Sequence, residues 1–344
     1  MITGEYMRVP AMGMDGYMIE VEQPLQRWGE RDAERAMATA RLVMAEAEYA
    51  AARGRVLSMA GRAQAEANAA DAMAVLDQEI AARARSLADL VARSSVATGK
   101  GSVREVLTLQ SRAAEFDVMI LRDKRMAADA RGEVAAVLGL AADALLPTLT
   151  TPDPTTIDPE RAPEARMAQA RVVMANAQLA MAVARGRPEV AVMGRWRQQG
   201  EEDADAWEGG LRLSIPLWRD AYGGAADGGR TERLAALSDQ AASVLDAREL
   251  LARVARARDL AQRTRTWASE TSARLDSELE TIASDAATGM GGATAMLFER
   301  FDQLVDAKRA TIIAETAALT AQMTLWALVP PPDTDATRSP GRIP

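Results

Sequence analysis

From Tyr17 to Leu25 the chain alternates, with Tyr17, Ile19 and Val21 on one side and Met18, Glu20 and Glu22 on the other. A period of two with one apolar side predicts a strand. From about Glu30 the period lengthens, and Ala33, Ala36, Ala40, Val43, Ala47, Ala50, Gly54, Leu57 and Gly61 recur at steps of three and four. This is a heptad seam built from small residues. A second register (Ala69, Met73, Leu76, Ile80, Leu87, Val91) carries the helix on to about Val96, a rod of roughly 100 Å at about 1.5 Å per residue. The stretch "ATGKGS" then stops it: Gly99 and Gly101 supply a tight turn, and Ser102 is placed to cap the next helix, with Glu105 at the capping-box position. That helix returns antiparallel from Val103 and ends near Leu138 to Leu140.

Five prolines between Pro147 and Pro163 mark an irregular linker over residues 145–165. The helical stretch "EARMAQARVVMANAQLAMAVAR" follows and is closed by Gly186 and Pro188. Two more alternating runs come next. In the first, Val190, Val192, Gly194 and Trp196 oppose Met193, Arg195 and Arg197. In the second, Trp207, Leu211, Leu213, Ile215 and Leu217 oppose Glu208, Arg212 and Ser214, with the polar turn "QQGEEDAD" between the two runs. Past Gly223, Gly224, Gly228 and Gly229, a long helix is expected from near Thr231. Its seam runs Ala247, Leu250, Val254, Ala257, Ala261, Thr264, Ala268, Thr271 and Leu275, to about Ser284. "AATGMGGAT" turns the chain, a last helix reaches about Leu328, and the Pro-rich tail 329–344 is expected to be disordered.

The order strand, long helix, Gly turn, returning helix thus occurs twice, over residues 1–144 and 166–328. Pro24 corresponds to Pro216 and Thr98-Gly99 to Thr288-Gly289, both at an offset of about 190 residues, which points to an internal duplication.

Composition narrows the function classes. Of the 344 residues 48% are hydrophobic but only 4% aromatic, and the abundance of Ala and Met suits helices in close contact better than a large globular core. No run of 18 or more apolar residues predicts a membrane-spanning helix. A net charge of -8 and a pI near 5.0 argue against nucleic acid as a partner. Cys and His are both absent, so disulfides, thiolate sites and imidazole chemistry are excluded, and no metal or cofactor is expected. No nucleophile–base pair appears, and "ATGKGS" lacks the spacing of a phosphate loop and follows no strand, so the chain does not read as an enzyme. The first residues, "MITGEYMRVPAMG", carry no export signal.

Taken in order, "VEQPLQRWGERDAERAMATA", "ATGKGSVREVLTLQSR", "ARGRPEVAVMGRW", "WEGGLRLSIPLW" and "LVDAKR" resemble the TolC-like outer-membrane efflux protein family. The closer likeness is to its heavy-metal and cation efflux branch, and it spans almost the whole chain. The resemblance implies a mainly α fold with a small β part: long antiparallel coiled-coil helices, and four strands per protomer contributing to a trimeric twelve-stranded transmembrane β-barrel. It implies a passive exit duct of a tripartite efflux pump, in which a homotrimer in outer-membrane lipid meets a periplasmic adaptor and, through it, an inner-membrane pump. Family members carry an export signal and two helices before the first strand, so the sequence is expected to be N-terminally truncated.

On this reading Tyr17, Ile19, Val21, Val190, Val192, Trp196, Trp207, Leu211, Leu213, Ile215 and Leu217 face lipid. Trp28, Trp196, Trp207 and Trp218 lie within or at the ends of strands, as aromatic girdles require. The alternative for these segments is soluble hairpins capping a coiled coil. The resemblance further places Gly99, Ser102, Val103, Val106 and Leu107, with Gly289, Thr294 and Leu297, at a periplasmic tip where an adaptor docks. It makes Glu299 and Asp302 candidates for a gate. Plain helix–helix turns and a solvated helix face are the competing readings of these two groups. Two rival functions remain: a periplasmic adaptor, which normally has one helical hairpin per chain, and a soluble structural coiled coil, which leaves the strand faces unexplained.

Overall fold

The structure, a computed structural model, describes residues 2–9, 14–25, 27–98, 103–141, 144–199, 204–215, 220–287 and 293–330. Two compact units divide the chain, one of residues 1–48 and 164–244, the other of residues 49–163 and 245–344.

The first unit holds the sheet. Strands β1 (Ile2–Val9), β2 (Met14–Pro24), β3 (Glu189–Gln199) and β4 (Ala204–Ser214) are antiparallel, in the order β1-β2-β3-β4. The alternating run expected from Tyr17 is therefore longer, starting at Met14, and it pairs with a strand that periodicity alone does not reveal. Ile2 pairs with Val21, and Tyr6 with Tyr17. Gly4 interrupts the apolar side of β1, so its pattern is weak, and the neighbouring strand supplies the template that fixes it.

Three helices contribute to this unit: the start of α1 (Glu30–Thr98), α3 (Pro163–Arg185) and the start of α4 (Asp220–Ala287). Helix α1 begins after a turn in which Gly29 has φ +88° and the Arg27 backbone N–H donates to Glu30 Oε2 at 3.0 Å. Its seam keeps a seven-residue step, and Ala33, Ala40 and Ala47 are all buried. The expected start of α4 near Thr231 is corrected: the helix runs from Asp220 straight through four glycines. At Gly229 the reason is visible. A Cβ there would lie 3.2 Å from the Leu179 backbone of α3, so this glycine lets two helices approach closely and does not break one.

The second unit contains the rest of α1 and α4 together with α2 (Val103–Leu138), α5 (Ala293–Met323) and a 3-10 turn, Thr324–Leu328. Its core joins Leu76 and Ile80 of α1, Leu109 and Phe116 of α2, Leu275 and Leu279 of α4, and Phe301 and Leu304 of α5. Phe116 meets Phe301 edge-on, with ring centroids 6.4 Å apart. The linker is irregular but not loose. Asp153 and Asp158 accept from the backbones of Thr155 and Glu160 at 3.0 Å, capping short 3-10 turns at Pro154–Thr156 and Pro159–Arg161. Gln64 of α1 holds the preceding segment through its side-chain amide, accepting from Leu149 N at 3.0 Å. Leu146 and Leu149 pack there on Ala60, Ala63 and Val134.

Candidate functional site

Strand register sorts the sheet into two unlike faces. On one, Ile19, Trp196 and Trp207 lie in a row across β2, β3 and β4, followed by Val21 with Gly194 and Gly209, then by Val192 with Leu211 and Val190 with Leu213. The indole rings of Trp196 and Trp207 are 6.4 Å apart. This apolar face is bare: Trp207 is 78% exposed, Leu211 75% and Leu213 59%. A soluble protein gains by hiding such a surface, and contiguous apolar patches mark lipid or partner contact.

The other face is charged and internally paired. Glu20, Arg195 and Glu208 stand directly opposite one another. Arg195 Nη2 donates to Glu20 at 3.2 Å, and its Nη1 lies 3.6 Å from Glu208. One residue pair along, Arg212 Nη1 donates to both oxygens of Glu22, at 2.9 and 2.8 Å. Where β2 leads into α1 and α3 leads into β3, Arg27 pairs with Glu189, Leu25 N donates to Val190 O at 2.8 Å, and Arg187 Nη1 donates to Trp28 O at 2.8 Å.

In the helical unit the seams are fastened by Arg–carboxylate pairs. Arg112 of α2 reaches Asp302 of α5 at 3.2 Å, and Arg300 of α5 reaches Glu278 of α4 at 3.2 Å. The deepest pair joins α5 to α1. Asp77 is only 2% exposed and accepts from Arg309 Nη2 at 2.7 Å, while the guanidinium also lies over the Phe116 ring, 5.6 Å from its centre. Asp123 nearby is held above the usual carboxylate value, first by burial and then by the negative charge of Asp77, against the opposing pull of Arg122 and Arg309. Among the described residues no helix is long and apolar enough to cross a membrane, and no group of three or more carboxylates is placed to hold a metal ion.

No family model matches the sequence, and no curated protein matches it. Solved structures do. The outer membrane protein VceC from Vibrio cholerae superposes with a TM-score of 0.77 at 18% identity, over 95% of this chain and 85% of its own. A membrane protein from Pseudomonas aeruginosa gives 0.74 at 17% identity, over 95% and 80%. The outer-membrane channel OprN gives 0.72 at 18% identity, over 96% and 80%. The chain has the TolC-like outer-membrane channel fold.

In this fold the residues singled out by sequence fall unevenly. Ile19, Val21, Val190, Val192, Trp196, Trp207, Leu211 and Leu213 share the apolar face, with Val190 and Trp196 half-buried and the others exposed. Ile215 lies just beyond the end of β4 and is exposed. Tyr17 is in β2, but its side chain, like Leu217 and Trp218, lies outside what the structure describes. At the expected tip, Gly99, Ser102 and Gly289 lie outside the described residues, as does the side chain of Thr294. Val103 and Leu107 are exposed at 74% and 58%, whereas Val106 packs against the core. Leu297 is corrected. It is fully buried among the core residues, because its helix turns that face inward toward Phe301 and Leu304, and it offers no docking surface. The gate candidates separate: Glu299 is exposed and accepts from Gln303 Nε2 at 3.3 Å, while Asp302 is tied to Arg112.

The charge row of the sheet was not legible in the sequence. Alternation marked Glu20, Arg195 and Glu208 as polar, but their mutual pairing follows only from the register of three strands, two of them far from the first in sequence.

Proposed function

We propose that the chain is the exit duct of a tripartite efflux pump, a passive outer-membrane channel and not a catalyst. The observation that carries this reading is the exposed apolar face of the sheet set against an internally ion-paired opposite face. A barrel in a membrane needs that division, with apolar side chains toward lipid and polar ones toward a watery lumen. Three copies, each adding four strands edge to edge, close a twelve-stranded barrel and leave neither β1 nor β4 unpaired. From the row of Tyr17 to Ile215 the sheet covers about 25 Å at about 3.3 Å per residue and a tilt of about 40°, the height of the apolar band of an outer membrane.

The long helices then form the periplasmic tunnel. At its tip the exposed Val103 and Leu107, with Gly99, Ser102, Gly289 and Thr294, meet an adaptor that links the trimer to an inner-membrane pump. Small and apolar residues at helix ends suit that contact, because they let partner backbones come close. The deciding experiment is mass measurement of the purified chain with and without detergent. A trimer soluble only in detergent supports the channel, and a detergent-independent monomer or dimer removes it.

A further inference from the structure

The opening of α4, Asp220 to Gly228, carries Gly223, Gly224 and Gly228 inside a helix. Relative to alanine, each glycine weighs against helix by about four- to fivefold. Packing does not offset this cost, because among the described residues nothing lies within 4 Å of a Cβ at any of the three. At Gly229 the situation reverses, since that residue is buried and seated on the Leu179 backbone of α3. Helix α1, which also leaves the sheet, is strapped where it starts by the pair of Arg27 and Glu189 and by the bond from Arg187 to the Trp28 carbonyl.

A second helix start is written just before the Leu179 contact. Aspartate is among the best N-cap residues, yet Asp227 stands within the helix, with its carboxylate 71% exposed and accepting from Arg230 Nη1 at 2.7 Å. In a helix that began after Asp227, this carboxylate would accept instead from the backbone N–H of Gly229 or Arg230. The Asp227 carbonyl would keep the Thr231 N–H, so the shorter helix would be capped while Gly229 stayed helical against Leu179.

We propose that α4 has two starts, a long one at Asp220 and a short one capped by Asp227, and that the change between them is the hinge on which β4 takes its place as a barrel closes. The inference rests on the channel reading above, in which β4 is an edge strand that meets β1 of a second copy. Gly223 to Gly228 spans about 9 Å as helix and about 20 Å when extended. Unwinding therefore gives β4 about 10 Å of added reach, roughly two strand spacings. Leu179 against Gly229 stops the unwinding there, so the rest of α4 stays folded while the strand moves.

The test refolds the full chain from urea into detergent, applies pulses of amide hydrogen exchange read by mass spectrometry, and times trimer formation on gels. Before trimers form, the amides of Gly224 to Arg230 are expected to exchange at least tenfold faster than those from Thr231 to Leu237, and to become protected together with trimer formation. The combined change Gly223→Ala, Gly224→Ala and Gly228→Ala should slow that exchange roughly 30- to 100-fold and slow trimer formation at least tenfold. Asp227→Ala removes the cap of the short start and should slow exchange about tenfold, whereas Asp227→Ser keeps a cap and should leave it near the native rate. These two single variants keep the idea testable should the triple variant fail to fold. Equal protection on both sides of Thr231 before assembly, exchange rates for Asp227→Ala and Asp227→Ser within about threefold, the gap that helix propensity alone gives, or trimer formation at the native rate in a triple variant whose exchange has slowed overturns the inference and leaves the channel reading intact. Failure of the native chain to form trimers removes the channel reading and the hinge with it, while the step at Thr231 still reports separately whether α4 has two starts.

Discussion

Gly54 of α1 lies backbone to backbone against Trp326: a Cβ at this position would overlap the Trp326 carbonyl oxygen and come within 3.0 Å of Ala327 Cα. Seven residues on, a Cβ on Gly61 would lie 2.5 Å from Met323 Sδ and 2.8 Å from its Cγ. The C-terminal end of α5 and its 3-10 turn thus seat in a channel made by missing side chains. Backbone cannot move aside cheaply, so Gly54→Ala is expected to destabilise the fold by about 1–3 kcal/mol, the usual cost of overpacking. Gly132 in α2 is the control, since nothing lies within 4 Å of a Cβ there. Gly132→Ala should stabilise by about 0.5–1 kcal/mol through helix propensity. Thermal unfolding of the helical signal in detergent reads both, and opposite signs are expected.

This pair also shows what was legible in the sequence. The seven-residue step from Ala33 through Ala40, Ala47 and Gly54 to Gly61 announces a close seam, because only small residues recur there. Their burial follows. What the seam meets could not be read, since the period fixes which face turns inward and says nothing about the partner. The same limit explains the glycines of α4. Propensity marks Gly223 to Gly229 as a break; at Gly229 packing on Leu179 overrides it, while nothing lies within 4 Å of a Cβ at Gly223, Gly224 or Gly228. In the sheet, alternation gave the apolar face correctly, while the row of Glu20, Arg195 and Glu208 needed the register.

Asp77 and Arg309 are expected to behave as a buried pair. With Asp77 at 2% exposure, Arg309→Leu strands a carboxylate in the core and should cost about 3–5 kcal/mol. The exposed pair of Arg263 and Asp259, 2.9 Å apart on α4, should contribute within about 0–1 kcal/mol. Double-mutant cycles on the two pairs, followed by denaturant unfolding, measure the contrast. Equal coupling energies would mean that Asp77 is hydrated in solution.

A pH dependence follows from Asp123. Its folded-state value is raised, chiefly by burial and secondly by Asp77, so the folded chain binds this proton more tightly than the unfolded chain does. The contribution to stability is full below the ordinary carboxylate value and is lost as pH rises through the raised one. Asp123→Asn should remove that falling component and flatten the stability profile across the acidic range. Asp153 acts with the opposite sign. The Thr155 backbone N–H lowers its value, so its contribution is present above the ordinary carboxylate value and fades as pH falls through the lowered one. A profile of Asp123→Asn parallel to the native one throughout would show that Asp123 ionises equally in both states.

The channel reading of the apolar face makes a graded prediction. If the band runs from the Tyr17 row to Ile215, Leu211 lies near its middle and Leu213 nearer the helical side, while Ser214 points to the opposite face beside Glu189. An arginine facing lipid costs about 2–4 kcal/mol at the mid-plane and about 0–1 near an interface. Leu211→Arg should therefore impair assembly of outer-membrane trimers most, Leu213→Arg less, and Ser214→Arg least, since the new charge enters water next to a carboxylate. Heat-stable trimers counted on gels from isolated outer membranes give the order. A soluble hairpin predicts another outcome, because exposed Leu211 and Leu213 would then accept arginine as readily as Ser214 does. Equal trimer yields for all three variants would remove the barrel and leave the bare apolar face without an explanation in lipid.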